Sequence, residues 1–150
     1  LLIVISIIGI LAGIIVPTLN SAKFKANDSK IRTQLTNLRT VTQTYYDSND
    51  AQYSIADLPD NDCTSGTANT LTDDPKVAES LSTMPVGTIK KWVVTQGTHD
   101  AYAISASLSA TGTVGDFWCI DNGGQSKLIN ITDPSAIDQT DSSCDLMDNK

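Results

Sequence analysis

The first 16 residues, LLIVISIIGILAGIIV, form an uncharged apolar run that ends at Pro17 and constrains what the rest of the chain can do. Its only polar side chain is the Ser6 hydroxyl, and Gly9 and Gly13 interrupt the aliphatic residues. A segment that is apolar all round has to lie in lipid or pack against other proteins. About 20 helical residues cross the hydrocarbon core of a bilayer. We therefore expect the run to be the body of a longer apolar helix that begins before Leu1.

The same run carries its own weak point as a helix. Gly9 and Gly13 each cost about 1 kcal/mol relative to Ala, and Pro17 removes the hydrogen bond to the residue four positions back. In a bilayer the helix should persist, because its backbone has no other partner there. Two interpretations stay open: the stretch between Gly9 and Pro17 melts when the helix leaves lipid for a protein bundle, or the glycines allow close approach of neighbouring helices.

Beyond Pro17 the pattern becomes amphipathic. Apolar, hydroxyl and aromatic side chains recur every three or four residues and predict one buried helical face, formed by Ile31, Leu35, Leu38, Thr42 and Tyr45. The helix should continue to about Asp50, which gives a length of roughly 75 Å at about 1.5 Å per residue. We place the apolar helix, which lies in a membrane or in a core formed with other proteins, at residues 1–22. The head, which includes the amphipathic half of the helix, is placed at residues 23–150.

The remaining sequence indicates a small sheet. Residues 48–85 are rich in turn formers and predict a long connection with one short helix at residues 75–81. Four β-branched or alternating runs then follow, and the Asn122-Gly123-Gly124 turn between the last two favours antiparallel pairing; these runs are residues 88–96, 100–108, 116–121 and 125–131. The predicted fold class is α+β, with the long helix packed on a four-stranded antiparallel sheet. The acidic tail, residues 132–150, is predicted to be loop.

Charge divides the chain into two parts. Residues 1–46 hold five lysines or arginines against Asp28 alone, whereas from residue 47 onward five lysines face sixteen acids. A basic stem thus carries an acidic head. Such a head repels the phosphate backbone of nucleic acids, so we expect no direct nucleic-acid binding by the isolated subunit.

The segment LLIVISIIGILAGIIVPTL at residues 1–19 resembles the N-terminal helix of the type IV pilins and of the type II secretion pseudopilins. In this family a prepilin peptidase cuts before an aromatic residue, which a short apolar stretch and a glutamate follow. The resemblance implies that a few residues, this glutamate among them, precede Leu1. Gly9 and Pro17 match the helix-weakening glycine and proline of the family.

The resemblance implies the pilin fold and a cell-surface filament built from many copies of this chain. It also implies membrane lipid as the surroundings before assembly, with a pilus assembly platform and the prepilin peptidase as partners. The residues expected to carry assembly are Leu1, Ile5, Ile8, Gly9, Gly13 and Pro17. The alternatives are a pseudopilin or minor pilin, and a membrane-tethered binding module or enzyme.

Three cysteines allow one disulfide. Many type IV pilins have a C-terminal region closed by a disulfide, and we favour Cys119 with Cys144, while Cys63 with Cys119 is the rival pairing. We expect no enzymatic activity and no cofactor, because His99 lacks a recognisable nucleophile nearby and no phosphate-loop or HExxH pattern is present. The one candidate metal site is for calcium, at Asp133, Asp138 and Asp141, whose spacing does not fit the EF-hand loop.

Overall fold

The computed structural model describes residues 2–53, 71–95, 98–109, 115–137 and 141–149, with the backbone alone for residues 15–18. The described helices and strands are α1 (Leu2–Ser48), α2 (Pro75–Ser82), β1 (Lys90–Val94), β2 (Tyr102–Ser107), β3 (Asp116–Asp121), β4 (Ser126–Asn130) and α3 (Cys144–Met147). Short 3-10 turns lie at Leu71–Asp73 and Pro134–Ala136. The predicted α+β fold, with a long N-terminal helix and a four-stranded sheet, is confirmed.

The strands form an antiparallel meander in the order β1-β2-β3-β4. Its register pairs Ile104 of β2 with Trp92 of β1 on one side and with Ile120 of β3 on the other. The predicted turn between β3 and β4 is also present: the backbone N–H of Gln125 donates to the Asp121 carboxylate at 2.9 Å. Sequential pairing of this kind follows from short links, because neighbouring strands then meet before distant ones.

The second half of α1 covers one face of the sheet through the predicted helical face. Leu35, Leu38 and Thr42 are fully buried, and the helix packs against the large apolar side chains of this face, among them Trp92, Tyr102, Ile104 and Ile120. The Thr42 hydroxyl lies 3.0 Å from the Tyr102 hydroxyl, so the polar atoms at this contact are paired. The 3.6-residue period of the sequence therefore positions the helix on the sheet.

Polar contacts tie the start and the middle of this docked half to loops of the sheet. Near its start, Asp28 is the first buried residue among the described side chains of α1 and accepts a hydrogen bond from the Ser109 backbone N–H at 2.8 Å. Near its middle, the Arg39 guanidinium donates to the Gln125 carbonyl. Each contact joins groups more than 80 residues apart. The helix is therefore held at two points in addition to its apolar contacts.

The C-terminal tail covers the opposite face of the sheet, and the prediction that residues 132–150 are loop was wrong in part. A 3-10 turn and α3 form there, and Ile137, Cys144 and Met147 are buried with side chains from the strands, including Val93 and Phe117. The sequence indicates these three only weakly, because acidic and polar residues separate them and a few apolar positions do not establish a period. Burial of apolar area on the second face gives the tail its structure.

The chain leaves α1 through two residues with left-handed backbones. Asp50 has φ 52° and Ala51 has φ 59°, and the Ala51 N–H donates to the Tyr46 carbonyl at 3.2 Å, as in left-handed helix caps. A residue with a Cβ atom pays about 1–2 kcal/mol for a left-handed backbone. Glycine avoids this steric cost, but it lowers the free energy of unfolding by about 0.5–1 kcal/mol because its unfolded chain has more entropy.

Ala51→Gly should therefore raise the free energy of unfolding by about 0.5–1 kcal/mol, measured by urea titration of the purified chain. Ala78→Gly is the matched control, because Ala78 is half-buried in α2 and the change there should cost about 1 kcal/mol. A lower urea midpoint for Ala51→Gly than for the unchanged chain would contradict the argument from backbone strain.

Four aromatic rings form a series of contacts from α1 to the sheet, of which one pair is stacked and the others are tilted or edge-to-face. Ring centroids are 4.5 Å apart for Tyr46 and Tyr53, 4.6 Å for Tyr53 and Tyr102, and 5.7 Å for Trp92 and Tyr102. Burial raises the pKa of Tyr53 to about 12, with smaller contributions from Tyr102, Tyr46 and Asp47. The folded state therefore favours the neutral phenol.

This shift predicts a loss of stability at alkaline pH. Tyrosines of the unfolded chain ionise near pH 10. The contribution of the Tyr53 phenol to the free energy of unfolding should therefore be complete below about pH 10, and it should be lost as the pH rises towards about 12. The free energy of unfolding, measured at intervals across this range, should fall less steeply for Tyr53→Phe than for the unchanged chain. Equal slopes for the two proteins would show that Tyr53 does not titrate as inferred.

Candidate assembly helix

The first half of α1 extends beyond the head as an uncovered apolar helix. Its described aliphatic side chains are all exposed; for example, Ile5 is 58% and Ile8 60% accessible. An 18-residue window of this helix has a mean hydropathy of 2.7, and none of it is buried within the chain. By length and composition the segment can cross a membrane. The second half of α1 is thus covered by the head, whereas no part of the described chain covers the first half.

Gly9 and Gly13 lie one turn apart on this uncovered segment. A Cβ atom added to either residue would meet no atom within 4 Å. Packing within the described chain therefore does not explain why these positions lack side chains. The pair leaves a local depression on the helix surface, where the backbone of another helix can approach closely.

The structure describes part of the predicted assembly set. Ile5, Ile8, Gly9 and Gly13 all lie on the exposed part of α1. The helix is continuous through Pro17, whose side chain lies outside the described part of the structure, as does Leu1. The sequence pattern predicts one helix that continues past Pro17 to about Asp50. A helical backbone at Pro17 agrees with this, because proline weakens a helix without always ending it.

The energetics of the exposed segment favour association or insertion into lipid. Full burial of one large aliphatic side chain is worth about 1.5–3 kcal/mol. Covering five such side chains therefore gives about 10 kcal/mol, which is comparable to the estimated cost of about 4–15 kcal/mol for bringing two molecules together. The apolar half exposes more than five large aliphatic side chains, among them Leu2, Ile3, Ile7, Ile10, Leu11 and Ile14. An isolated chain in water is thus the least favourable state of this helix.

A disulfide joins the far side of the head to the sheet. Cys119 of β3 and Cys144 of α3 are bonded, with Cα atoms 5.7 Å apart, and both side chains are fully buried. The favoured pairing is confirmed and the rival pairing of Cys63 with Cys119 is wrong. Cys63 lies outside the described residues. The Asp121 carboxylate also accepts a hydrogen bond from the Cys144 N–H at 3.1 Å, which fixes the start of α3.

The candidate calcium ligands do not meet as a group in the part of the chain that is described. Asp133 caps the 3-10 turn and accepts a hydrogen bond from the Ser135 N–H at 3.0 Å. Hydrogen bonds from the Ser135 hydroxyl and backbone hold the pKa of this carboxyl below its usual value. Asp141 is buried, and Asp138 lies outside the described residues. Within the described residues, no cluster of three acidic, cysteine or histidine side chains is placed to hold a metal ion.

His99 has a structural role in the link between β1 and β2. Its backbone is left-handed, with φ 53°, and its carbonyl accepts a hydrogen bond from the Tyr53 N–H at 2.8 Å. The link therefore contacts the chain just after α1. The backbone of His99 thus helps to join this link to the end of α1.

A half-open cavity of about 420 Å³ lies between α1 and α2, lined mainly by hydroxyl and amide side chains, among them Thr40, Thr44, Tyr45, Ser48 and Asn49. Burial, followed by the charges of Asp74 and Asp73, raises the pKa of the Tyr45 hydroxyl. The Asp74 carboxylate caps α2, accepting a hydrogen bond from the Lys76 N–H at 2.8 Å. The one carboxylate of the lining, Asp74, therefore serves as a helix cap. The cavity does not present the acid–base pair that general acid–base catalysis needs.

Sequence reasoning missed three anchoring side chains: Asp28, Arg39 and Asp121. Asp28 is the only acid among the basic residues of the stem, and this isolated position could have indicated a structural role. Asp121 comes directly before the Asn-Gly-Gly turn, where a carboxylate commonly accepts backbone hydrogen bonds. Arg39 has no such local signal, because its partner is a backbone carbonyl distant in sequence.

Comparisons of this chain with protein-family models, with curated proteins and with solved structures found no match. The function proposed below therefore depends on the residues and geometry of the chain.

Proposed function

We propose that this chain is the structural subunit of a filament of the type IV pilus class. The observation that carries the proposal is the division of α1, whose second half packs on the sheet while residues 2–14 expose an apolar surface. The resemblance of residues 1–19 to the pilin helix supports the same function. In this proposal the apolar halves pack into a central bundle and the acidic heads form the outer, extracellular surface.

Before assembly the apolar half anchors the subunit in the cytoplasmic membrane. Lipid is as apolar as the helix, so transfer into a bundle depends on packing and not on the hydrophobic effect. The depression at Gly9 and Gly13 supports such packing, since it faces no atom of its own chain. A contact between different surfaces of identical subunits repeats without closing, and this symmetry produces filaments.

Electron microscopy of material sheared from cells that produce the chain, with mass spectrometry of its main band, tests the proposal. Thin filaments built mainly of this chain are expected. A chain confined to the membrane fraction, with no filaments, would contradict the proposal and favour a pseudopilin, a minor pilin or a membrane-tethered module.

A further inference from the structure

Positive charge is concentrated where α1 enters the head. Lys23, Lys25 and Lys30 are exposed and follow the apolar half directly; we call these three residues the basic collar. The one acid in this part of α1, Asp28, is buried and hydrogen-bonded to Ser109. The collar therefore presents its positive charge to the surroundings.

Negative charge is concentrated at the opposite end of the head, where α1 terminates. We call its exposed carboxylates the acidic crown: Asp47, Asp50, Asp73 and Asp100. The contact between the His99 carbonyl and the Tyr53 N–H brings Asp100 to this end. Lys76, an exposed cation, follows Asp73 closely in the sequence, and the Asp74 carboxylate stands beside it. The crown therefore has a net negative charge.

A third surface, which we call the threonine face, connects the collar and the crown. Thr33, Thr36, Thr40 and Thr44 are exposed and lie at helical spacing on the side of α1 opposite its buried face. The hydroxyls of Thr33, Thr36 and Thr44 each donate to the carbonyl four residues earlier, all at 2.9 Å. Because these hydroxyls are bonded to their own helix, the methyl groups are left to face outward. The result is a low strip of small side chains along which an aliphatic helix can lie. It is bordered by the exposed amides of Asn37 and Gln43, and its Thr40 and Thr44 also line the cavity beside α2.

We propose that the occupant of these surfaces is a second copy of the chain, a refinement that rests on the proposed filament function. The basic collar of one copy meets the acidic crown of the next, and the apolar half of the first copy lies along the threonine face of the second. Charge complementarity favours this pairing and disfavours like ends meeting. Lipid would satisfy the apolar half, but it offers no partner to the crown.

The pairing of collar with crown fixes the offset between copies along α1. Collar and crown are separated by about 22 residues of α1, or about 33 Å along the helix. At this offset Leu11 and Ile14 of one copy lie level with Thr33 and Thr36 of the next. The Leu11 side chain is 54% exposed, so a second copy can reach it.

Charge reversal in the full chain, produced in cells that assemble it, tests the pairing. Lys23→Glu with Lys25→Glu, and separately Asp47→Lys with Asp50→Lys, should each lower filament yield at least about tenfold, equivalent to about 1.4 kcal/mol. All four substitutions in one chain should restore assembly, because collar and crown are then complementary again. Glu79→Lys is the control, since Glu79 is exposed on α2 and belongs to neither surface.

Cross-linking gives a second readout that does not need intact filaments. In a Cys63→Ser background, Lys25→Cys with Asp47→Cys should give a ladder of disulfide-linked oligomers in membranes under mild oxidation. Lys25→Cys with Glu79→Cys should give none. A ladder requires the collar of one copy to meet the crown of another repeatedly, whereas a contact related by a two-fold axis would stop at dimers.

The outcomes separate this proposal from the one on which it rests. Wild-type filaments together with unimpaired assembly of both reversal variants would overturn the pairing of collar and crown but not the filament function. Failure of the fourfold variant to recover, with an intact Cys119–Cys144 bridge and unchanged thermal unfolding, would also overturn the pairing. Absence of wild-type filaments and of the cross-linked ladder would overturn both proposals.

Discussion

Replacing Ile8 by Asp is expected to abolish filaments while leaving the head folded. Ile8 is 60% exposed, so the head loses no packing when the side chain changes. A carboxylate at the centre of an apolar helix costs about 2.5–3.5 kcal/mol on insertion scales, and several copies would meet in a bundle. The cost in an assembled filament therefore multiplies with the number of subunits, and Ile10→Asp should behave in the same way.

The measurement is filament yield by electron microscopy, with the membrane-bound fraction and the thermal unfolding of the head recorded for each variant. Ile8→Leu is the matched control, because it keeps the apolar character and nearly the same volume. Normal filaments from Ile8→Asp would mean that the apolar half is not buried in the assembled state.

Removal of the disulfide should produce the largest loss of stability within the head. The bridge closes a loop with a sequence separation of 25 residues, and the loop-entropy model assigns about 3 kcal/mol to a loop of this order. Cys119→Ala with Cys144→Ala should lower the free energy of unfolding by about this amount. The tail should be affected first, since Ile137 and Met147 pack on the sheet beside the bridge.

Denaturant titration with and without a reductant measures this effect, and hydrogen exchange of the tail shows where protection is lost. Cys63→Ala serves as the control, because it leaves the bridge between Cys119 and Cys144 in place. If the reduced and oxidised proteins unfolded at the same denaturant concentration, the bridge would not be the constraint inferred here.

The local pattern of the sequence determined the elements that have a clear period. The spacing of Ile31, Leu35 and Leu38 placed the docked face of α1, and residues 116–121 form β3 with the predicted bounds. The predicted limits of β1 and β2 were each too wide, by two residues or fewer at either end. Strand ends are set by where pairing stops, which depends on a neighbouring strand as much as on local composition.

The apolar run was equally clear from the sequence, because its meaning does not depend on any distant residue. A run of sixteen residues that is apolar on every side has no face suited to water, and the structure leaves those that it describes uncovered. The charge difference between stem and head was also visible in the sequence. Its division into a collar and a crown was not, since Asp47, Asp73 and Asp100 belong to three separate segments.

Only the tertiary structure decided which groups meet across long distances in the chain. Asp28 contacts Ser109, Arg39 contacts the Gln125 carbonyl, and Cys119 pairs with a cysteine of the tail. None of these contacts repeats with a helical or strand period, so no local pattern of the sequence predicts them. Periodic burial fixes secondary structure along the sequence, whereas the second face of the sheet is covered by whichever segment can reach it with enough apolar area.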